Sequence, residues 1–234
     1  MTRRVAVTTT TGRSFDRIAD ELRDTGLQPV PLPCITVEPA AQEVLDRLRS
    51  AADSADWIVV TSRRAVEIVW PSGGMPTAPA VAAVGPTTAE AAREAGGRVE
   101  VIGSGGASEL CDVLGGRVAG TAVVFPHARA ADPATSRSLA EQAASVVAEP
   151  AYDTVPIAPG PDPVDAAIFG SPSAVDGWMT ARSLEDLVTA AMGPTTAAHL
   201  RRLGRPPDVV PERPDLARLV GMLADHLAHE RQRS

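Results

Sequence analysis

Short apolar runs alternate along the chain with longer stretches in which apolar residues recur every three or four positions, a pattern that predicts strands and helices in turn. Runs of strand length cover residues 5–8, 27–30, 57–60, 81–84, 99–102, 122–125, 166–169 and 188–192, with a shorter one at 209–210. Helical spacing covers 14–25, where Phe15, Ile18, Ala19 and Leu22 share a face and Gly26 stops the pattern. It returns at 43–49, 64–69, 88–95, 107–114, 136–143, 173–179, 196–203 and 216–228, with a short element expected around 184–187. Strands alternating with helices build an α/β unit with a parallel sheet.

Two proline-rich stretches interrupt the alternation. Pro29, Pro31 and Pro33 precede the extended Ile35-Thr36-Val37, and a second extended stretch runs from Glu149 to Pro159, with Pro161 and Pro163 beyond it. The block 39–148 is a full α/β domain, whereas 160–234 has too few strands to match it. Residues 1–32 supply the missing strand, helix and strand. The expected architecture is therefore two similar α/β domains with parallel sheets. The first is discontinuous (1–32 and 160–234) and the second (39–148) is inserted into it. Linkers at 33–38 and 149–159 are expected to pair as a two-stranded β-ladder, with the carboxyl ends of both sheets around a crevice.

The chain also repeats itself. Val84-Gly85-Pro86-Thr87-Thr88-Ala89 recurs as Met192-Gly193-Pro194-Thr195-Thr196-Ala197, and the runs Asp56 to Ser62 and Asp165 to Ser171 precede the two copies. Ala65-Val66 and Ala174-Val175 follow at the same distance. Each copy reads as strand, tight turn and helix: Gly permits the turn, Pro suits the first helical position and Thr can cap free amides. Ser62 and Ser171 stand at the starts of the preceding helices. Such helix starts favour an anionic group, although a Ser or Thr there is more often only a cap.

Composition narrows the picture. Of 234 residues 44% are hydrophobic but only 3% aromatic, so the cores are aliphatic. No apolar stretch approaches the ~18 residues of a membrane span and no signal-peptide pattern opens the chain; a soluble, cytoplasmic protein is expected. The net charge of −7 argues against a nucleic-acid partner. All 22 basic residues are arginine, which suits bidentate carboxylate binding. Cys34 and Cys111 read as two reduced buried thiols. They and the four histidines (His127, His199, His226, His229) form no metal-type spacing, so no metal is expected. Neither Gly-x-Gly-x-x-Gly nor a phosphate-loop motif occurs, and Gly103-Ser104-Gly105-Gly106 reads as a flexible turn.

Taken in order, Thr61-Ser62 with Ala65-Val66, the Val84 to Ala89 turn, Phe169 to Val175, Met192 to Ala197, Tyr152 in a Tyr-x-Thr linker and the closing Val209 to Pro214 resemble the uroporphyrinogen-III synthase family across nearly the whole chain. The resemblance implies a cofactor-free enzyme of haem biosynthesis; a monomer is the default expectation because two extended linkers favour a mobile molecule. Such an enzyme closes linear hydroxymethylbilane, a polycarboxylate, into uroporphyrinogen III with loss of water and inversion of ring D. It implies a catalytic role for Tyr152, the chain's only tyrosine, in hydroxyl departure, set against a packing role on an extended strand. It also implies substrate binding by Thr61, Ser62, Arg64, Gly85, Thr87, Thr88, Ser171, Ser173, Gly193, Thr195 and Thr196, and a transient partnership with the upstream hydroxymethylbilane synthase. Arg64 is set against a solvated helix face. The loops at Gly12-Arg13 and Pro126 to Pro133 depart from the family's usual form, and a non-catalytic anion-binding or regulatory relative is the alternative.

Overall fold

The computed structural model describes residues 2–71, 73–104 and 106–231. Gly105 of the glycine-rich turn, and residues 1 and 232–234 of the expected first domain, lie outside the described residues. The first half of the chain forms β1 (Arg4–Val7), α1 (Arg13–Asp24), β2 (Gln28–Pro31), β3 (Ile35–Pro39), α2 (Gln42–Asp53), β4 (Trp57–Val60), α3 (Arg63–Val69), β5 (Ala80–Val84), α4 (Gly85–Glu94), β6 (Arg98–Gly103) and α5 (Ala107–Leu114). The second forms β7 (Ala122–Ala128), α6 (Pro133–Gln142), β8 (Ser145–Pro156), β9 (Ala166–Phe169), α7 (Pro172–Met179), β10 (Val188–Ala191), α8 (Pro194–Arg202) and α9 (Leu216–Arg231). The architecture is α/β with mostly parallel sheets.

Two compact units result: Met1–Val37 with Val155–Ser234, and Glu38–Thr154. In the first, the parallel sheet runs β10-β9-β1-β2. Successive residues serve opposite faces, as strand geometry requires. Val5, Val7, Ala166 and Ile168 join the core under α1 and α9, while Ala6, Ala167 and Phe169 join the one under α7 and α8. Phe169 meets Trp178 of α7 edge-on, with ring centroids 5.8 Å apart. Burial on both faces explains why these strands read as unbroken apolar runs.

In the second unit the order is β3-β8-β7-β4-β5-β6. The central β5-β4-β7-β8 matches β10-β9-β1-β2 strand for strand, so the sequence repeat is a repeat of topology. Trp57, Val59, Ala80, Ala82, Val123 and Phe125 form the core under α5 and α6. In both sheets the chain leaves the two central strands, β9 and β1 or β4 and β7, in opposite directions across the sheet. Ligands of doubly wound sheets bind outside the carboxyl ends of such strands.

Three expectations change. The element expected at 184–187 is a turn, with Asp186 in the left-handed region at φ 58°, which ends any regular structure there. The strand expected at 209–210 is a single parallel bridge from Val209 to Ala190. The extended stretch expected from Glu149 instead belongs to the 12-residue β8, which starts at Ser145 and runs through Pro150. β8 pairs in parallel with β7 and, on its other edge, lies beside β3; Ala40 N–H donates to Ala151 O and Ile157 N–H to Cys34 O.

Candidate active site

β4 delivers Thr61 and Ser62 at its carboxyl end. Ser62 has extended backbone (φ −147°, ψ 142°), and its Oγ accepts the Ala65 N–H at 3.1 Å, capping α3. Tyr152 arrives from β8, two strands away across β7. Its ring is buried, at 6% exposure, and its hydroxyl lies 2.9 Å from Ser62 Oγ. A bulge brings it there. β7 pairs His127 with Pro150 but Ala128 with Tyr152, so Ala151 is an extra residue that re-aims the strand at its carboxyl end.

Next to this pair, β5 lies beside β4, with Val60 opposite Ala83. Thr61-Ser62 and the start of α4 therefore emerge side by side. Gly85 opens α4 at φ 74°, a conformation that glycine adopts without strain. The expected threonine caps are absent: α4 follows Val84 and α8 follows Gly193, and neither helix has a side-chain cap bond. Both helices begin at or just before the proline, which places the threonines inside the first turn, too late to cap. Thr88 and Thr196 are buried, and Thr87 and Thr195 are the exposed members of their pairs.

Two arginines open α3, and they differ. Arg63 Nε donates to Glu67 at 2.7 Å, and that bond holds its guanidinium above the ordinary arginine value. Arg64, half-exposed on the same turn, has no hydrogen-bond or ion-pair partner among the described residues. It is a cation available to a ligand.

In the other unit β9 delivers Ser171 in the same way. Its Oγ accepts the Ala174 N–H at 3.3 Å, and Ser173 follows on the first turn of α7. β10, paired to β9, leads through Gly193 to Thr195 and Thr196. The sequence-derived residues thus fall into two sets. Thr61, Ser62, Arg64, Gly85, Thr87, Thr88 and Tyr152 stand at the strand ends of one unit, and Ser171, Ser173, Gly193, Thr195 and Thr196 at those of the other.

Comparison with known proteins decides what the arrangement belongs to. The family model for uroporphyrinogen-III synthase HemD matches residues 16–221. The chain belongs to the uroporphyrinogen-III synthase family. A protein of Methanothermobacter thermautotrophicus provisionally named uroporphyrinogen-III synthase is 28% identical over 94% of this chain and 97% of its own length. A solved uroporphyrinogen III synthase of Thermus thermophilus aligns over 97% of this chain and 99% of its own, with TM-score 0.65 and 22% identity. The uroporphyrinogen-III synthetase of Helicobacter pylori aligns over 96% and 99%, with TM-score 0.68 and 15% identity. At these identities the two structures speak for the fold. The family is one of enzymes that act on a small tetrapyrrole substrate.

Within this synthase-family site, two residues were not legible as contributors from sequence. The Arg129 N–H donates to the Tyr152 carbonyl at 2.8 Å, and its Nε lies 3.3 Å from the Asp153 carboxylate, so the departing loop after β7 is fastened to the strand that carries the tyrosine. His127 stacks on Phe125 with ring centroids 5.0 Å apart. Its Nδ1 donates to Ala128 O at 2.8 Å. Strand order alone brings these residues beside Tyr152, and no spacing along the chain announces it. Among the described residues, no helix is long and apolar enough to cross a membrane and no cluster of His, Cys, Asp or Glu has the makings of a metal site.

Proposed function

We propose that this family member is a catalytically active uroporphyrinogen-III synthase. It converts hydroxymethylbilane to uroporphyrinogen III as a cofactor-independent, cyclising hydro-lyase, acting in the cytoplasm and taking substrate from the upstream hydroxymethylbilane synthase in transient contact. The observation that carries this reading is the family match over residues 16–221, and the placement of Tyr152 at the carboxyl end of the second sheet supports it.

In this reading Tyr152 donates its phenol proton to the terminal hydroxyl of the substrate as that group leaves as water. The azafulvene that remains then meets the substituted carbon of ring D, passes through a spiro intermediate and recloses with ring D inverted. Holding that carbon, rather than the nearer free position, against the azafulvene is catalysis by orientation. The hydroxyls of Thr61, Ser171, Ser173, Thr87 and Thr195, the guanidinium of Arg64, and the backbone amides at Gly85, Gly193 and Thr196 bind the acetate and propionate carboxylates. Thr196 is assigned through its amide because its side chain is buried; Thr88 is buried too, and as the fourth residue of α4 its amide closes the first helical bond to Val84, so it shapes the turn beside the bound carboxylate.

Turnover distinguishes this enzyme from a binding relative. With hydroxymethylbilane in many-fold excess, an enzyme consumes it well above the spontaneous rate until none is left. A protein that only binds would protect about one equivalent and leave the remainder to close unaided.

A further inference from the structure

We infer that Ser62 serves Tyr152: it is a positioning residue that holds the phenol oxygen and leaves the phenol proton free for the departing hydroxyl. The inference rests on the reading of Tyr152 as proton donor. The Ala65 N–H can only donate, so Ser62 Oγ accepts it at 3.1 Å and keeps its own proton to give. The 2.9 Å contact with Tyr152 can run in either direction. If the phenol donated to Ser62, its proton would be locked in that bond, and the serine proton would lack a partner among the described residues. If Ser62 donates, the proton left without a partner among the described residues is the phenol's, which points away from the serine and is free for the substrate. A hydroxyl that accepts a hydrogen bond becomes a stronger donor. The series Ala65 N–H, Ser62 O–H, Tyr152 O–H therefore runs in one sense and strengthens the last donor.

The duplication supplies an internal control. Ser171 repeats the cap of Ser62 and bonds the Ala174 N–H in the same manner, but it has no side-chain partner among the described residues. Capping alone accounts for a serine at both positions. The tyrosine contact exists at one of them, and it is the one where a proton donor is needed.

The protons balance without any being taken from Ser62. The substrate C–O bond breaks with its electron pair going to oxygen, and that oxygen takes the Tyr152 proton and leaves as water. The pyrrole N–H of the resulting azafulvenium ion returns a proton to the phenolate, giving the azafulvene and restoring the phenol. Ser62 keeps its proton throughout and stabilises the phenolate between the two transfers.

The test is a double-mutant cycle read in kcat and KM with hydroxymethylbilane. Ser62→Gly removes the hydroxyl at a position where glycine is tolerated as a cap. We expect kcat to fall about three- to tenfold, the worth of one neutral hydrogen bond, with a smaller change in KM. In the Tyr152→Phe background the same substitution should leave kcat where it is, whereas Ser171→Gly should have the same effect in both backgrounds. Ser62→Thr should restore the rate. Ser62→Asp caps as well as serine but has no proton to give at neutral pH; a folded Ser62→Asp protein with full kcat would overturn the inference. So would an equal loss from Ser62→Gly in both backgrounds, since Ser62 would then act on substrate or fold directly. An unchanged kcat for Tyr152→Phe alone would instead remove the tyrosine from the reaction and take the inference with it.

Discussion

Asp56 and Asp165, 109 residues apart, fasten their sheets by the same three hydrogen bonds. The Asp165 carboxylate accepts the Arg4 N–H at 2.7 Å, its own N–H donates to Arg4 O at 2.8 Å, and its carbonyl accepts the Val188 N–H at 3.2 Å. For Asp56 the partners are the Ala122 N–H (2.8 Å), Ala122 O (2.9 Å) and the Ala80 N–H (2.9 Å). Each aspartate thus ties together the amino ends of three adjacent strands, and the register set there fixes which residues emerge at the opposite, functional ends. Asp165 also pairs with Arg3 at 2.7 Å.

Removing either clamp leaves a strand-end amide without its acceptor. Asp165→Ala should cost about 1–2 kcal/mol of stability, and Asp56→Ala less because its site is more open to water. Denaturant titration of the two variants checks both the size and the order.

Asp165 further predicts an acid dependence. Burial pushes its carboxyl upward, but the Arg4 N–H and the Arg3 guanidinium outweigh that and hold it below the ordinary value of 3.8. With the folded value below the unfolded one, its contribution is full above 3.8 and is lost as pH falls through the depressed folded value. The stability gap between the natural protein and Asp165→Asn should therefore be constant near neutrality and narrow below that pH. A gap that stayed constant down to the acid transition would contradict the assignment.

Gly177 sits on α7 against two backbone carbonyls. A Cβ there would lie 2.0 Å from Cys34 O and 2.8 Å from Ile157 O, and Cys34 O already accepts the Ile157 N–H. Backbone cannot rotate aside as a side chain can. Gly177→Ala should destabilise by about 3 kcal/mol, the upper end of ordinary overpacking. A thermal unfolding midpoint equal to that of the natural protein would show that the helix can shift without cost.

The twin turns should respond differently to the same change. Gly85 has φ 74°, so Gly85→Ala should cost about 1 kcal/mol or more. Gly193 is extended at φ −162°, which any residue adopts, and a Cβ there would meet Pro214 at an ordinary 3.5 Å. Gly193→Ala should change stability by less than about 0.5 kcal/mol. Equilibrium unfolding of both variants side by side tests the contrast.

Much of the fold was legible because its signals are local. Strands buried on both faces, such as 57–60 and 166–169, read as apolar runs bounded by an aspartate and a serine, and the repeat placed both serines at helix starts. The true starts of α4, α6 and α8 fall up to three residues earlier than the apolar period suggested, because Pro86, Pro133 and Pro194 carry the first turn and lack an apolar face. What sequence could not supply was the meeting of Ser62 with Tyr152, 90 residues apart. That contact depends on β7 lying between β4 and β8 and on a one-residue bulge beside His127, neither of which leaves a trace in spacing. The same holds for Thr88 and Thr196, whose burial follows from helices that begin before them.

The most direct measurement is the identity of the cyclic product. Hydroxymethylbilane generated in place by its synthase is supplied to the protein, and the products are oxidised to porphyrins and separated by isomer. The account predicts isomer III in clear excess over the isomer I that forms spontaneously. Isomer I alone, from protein shown to be folded, would contradict it.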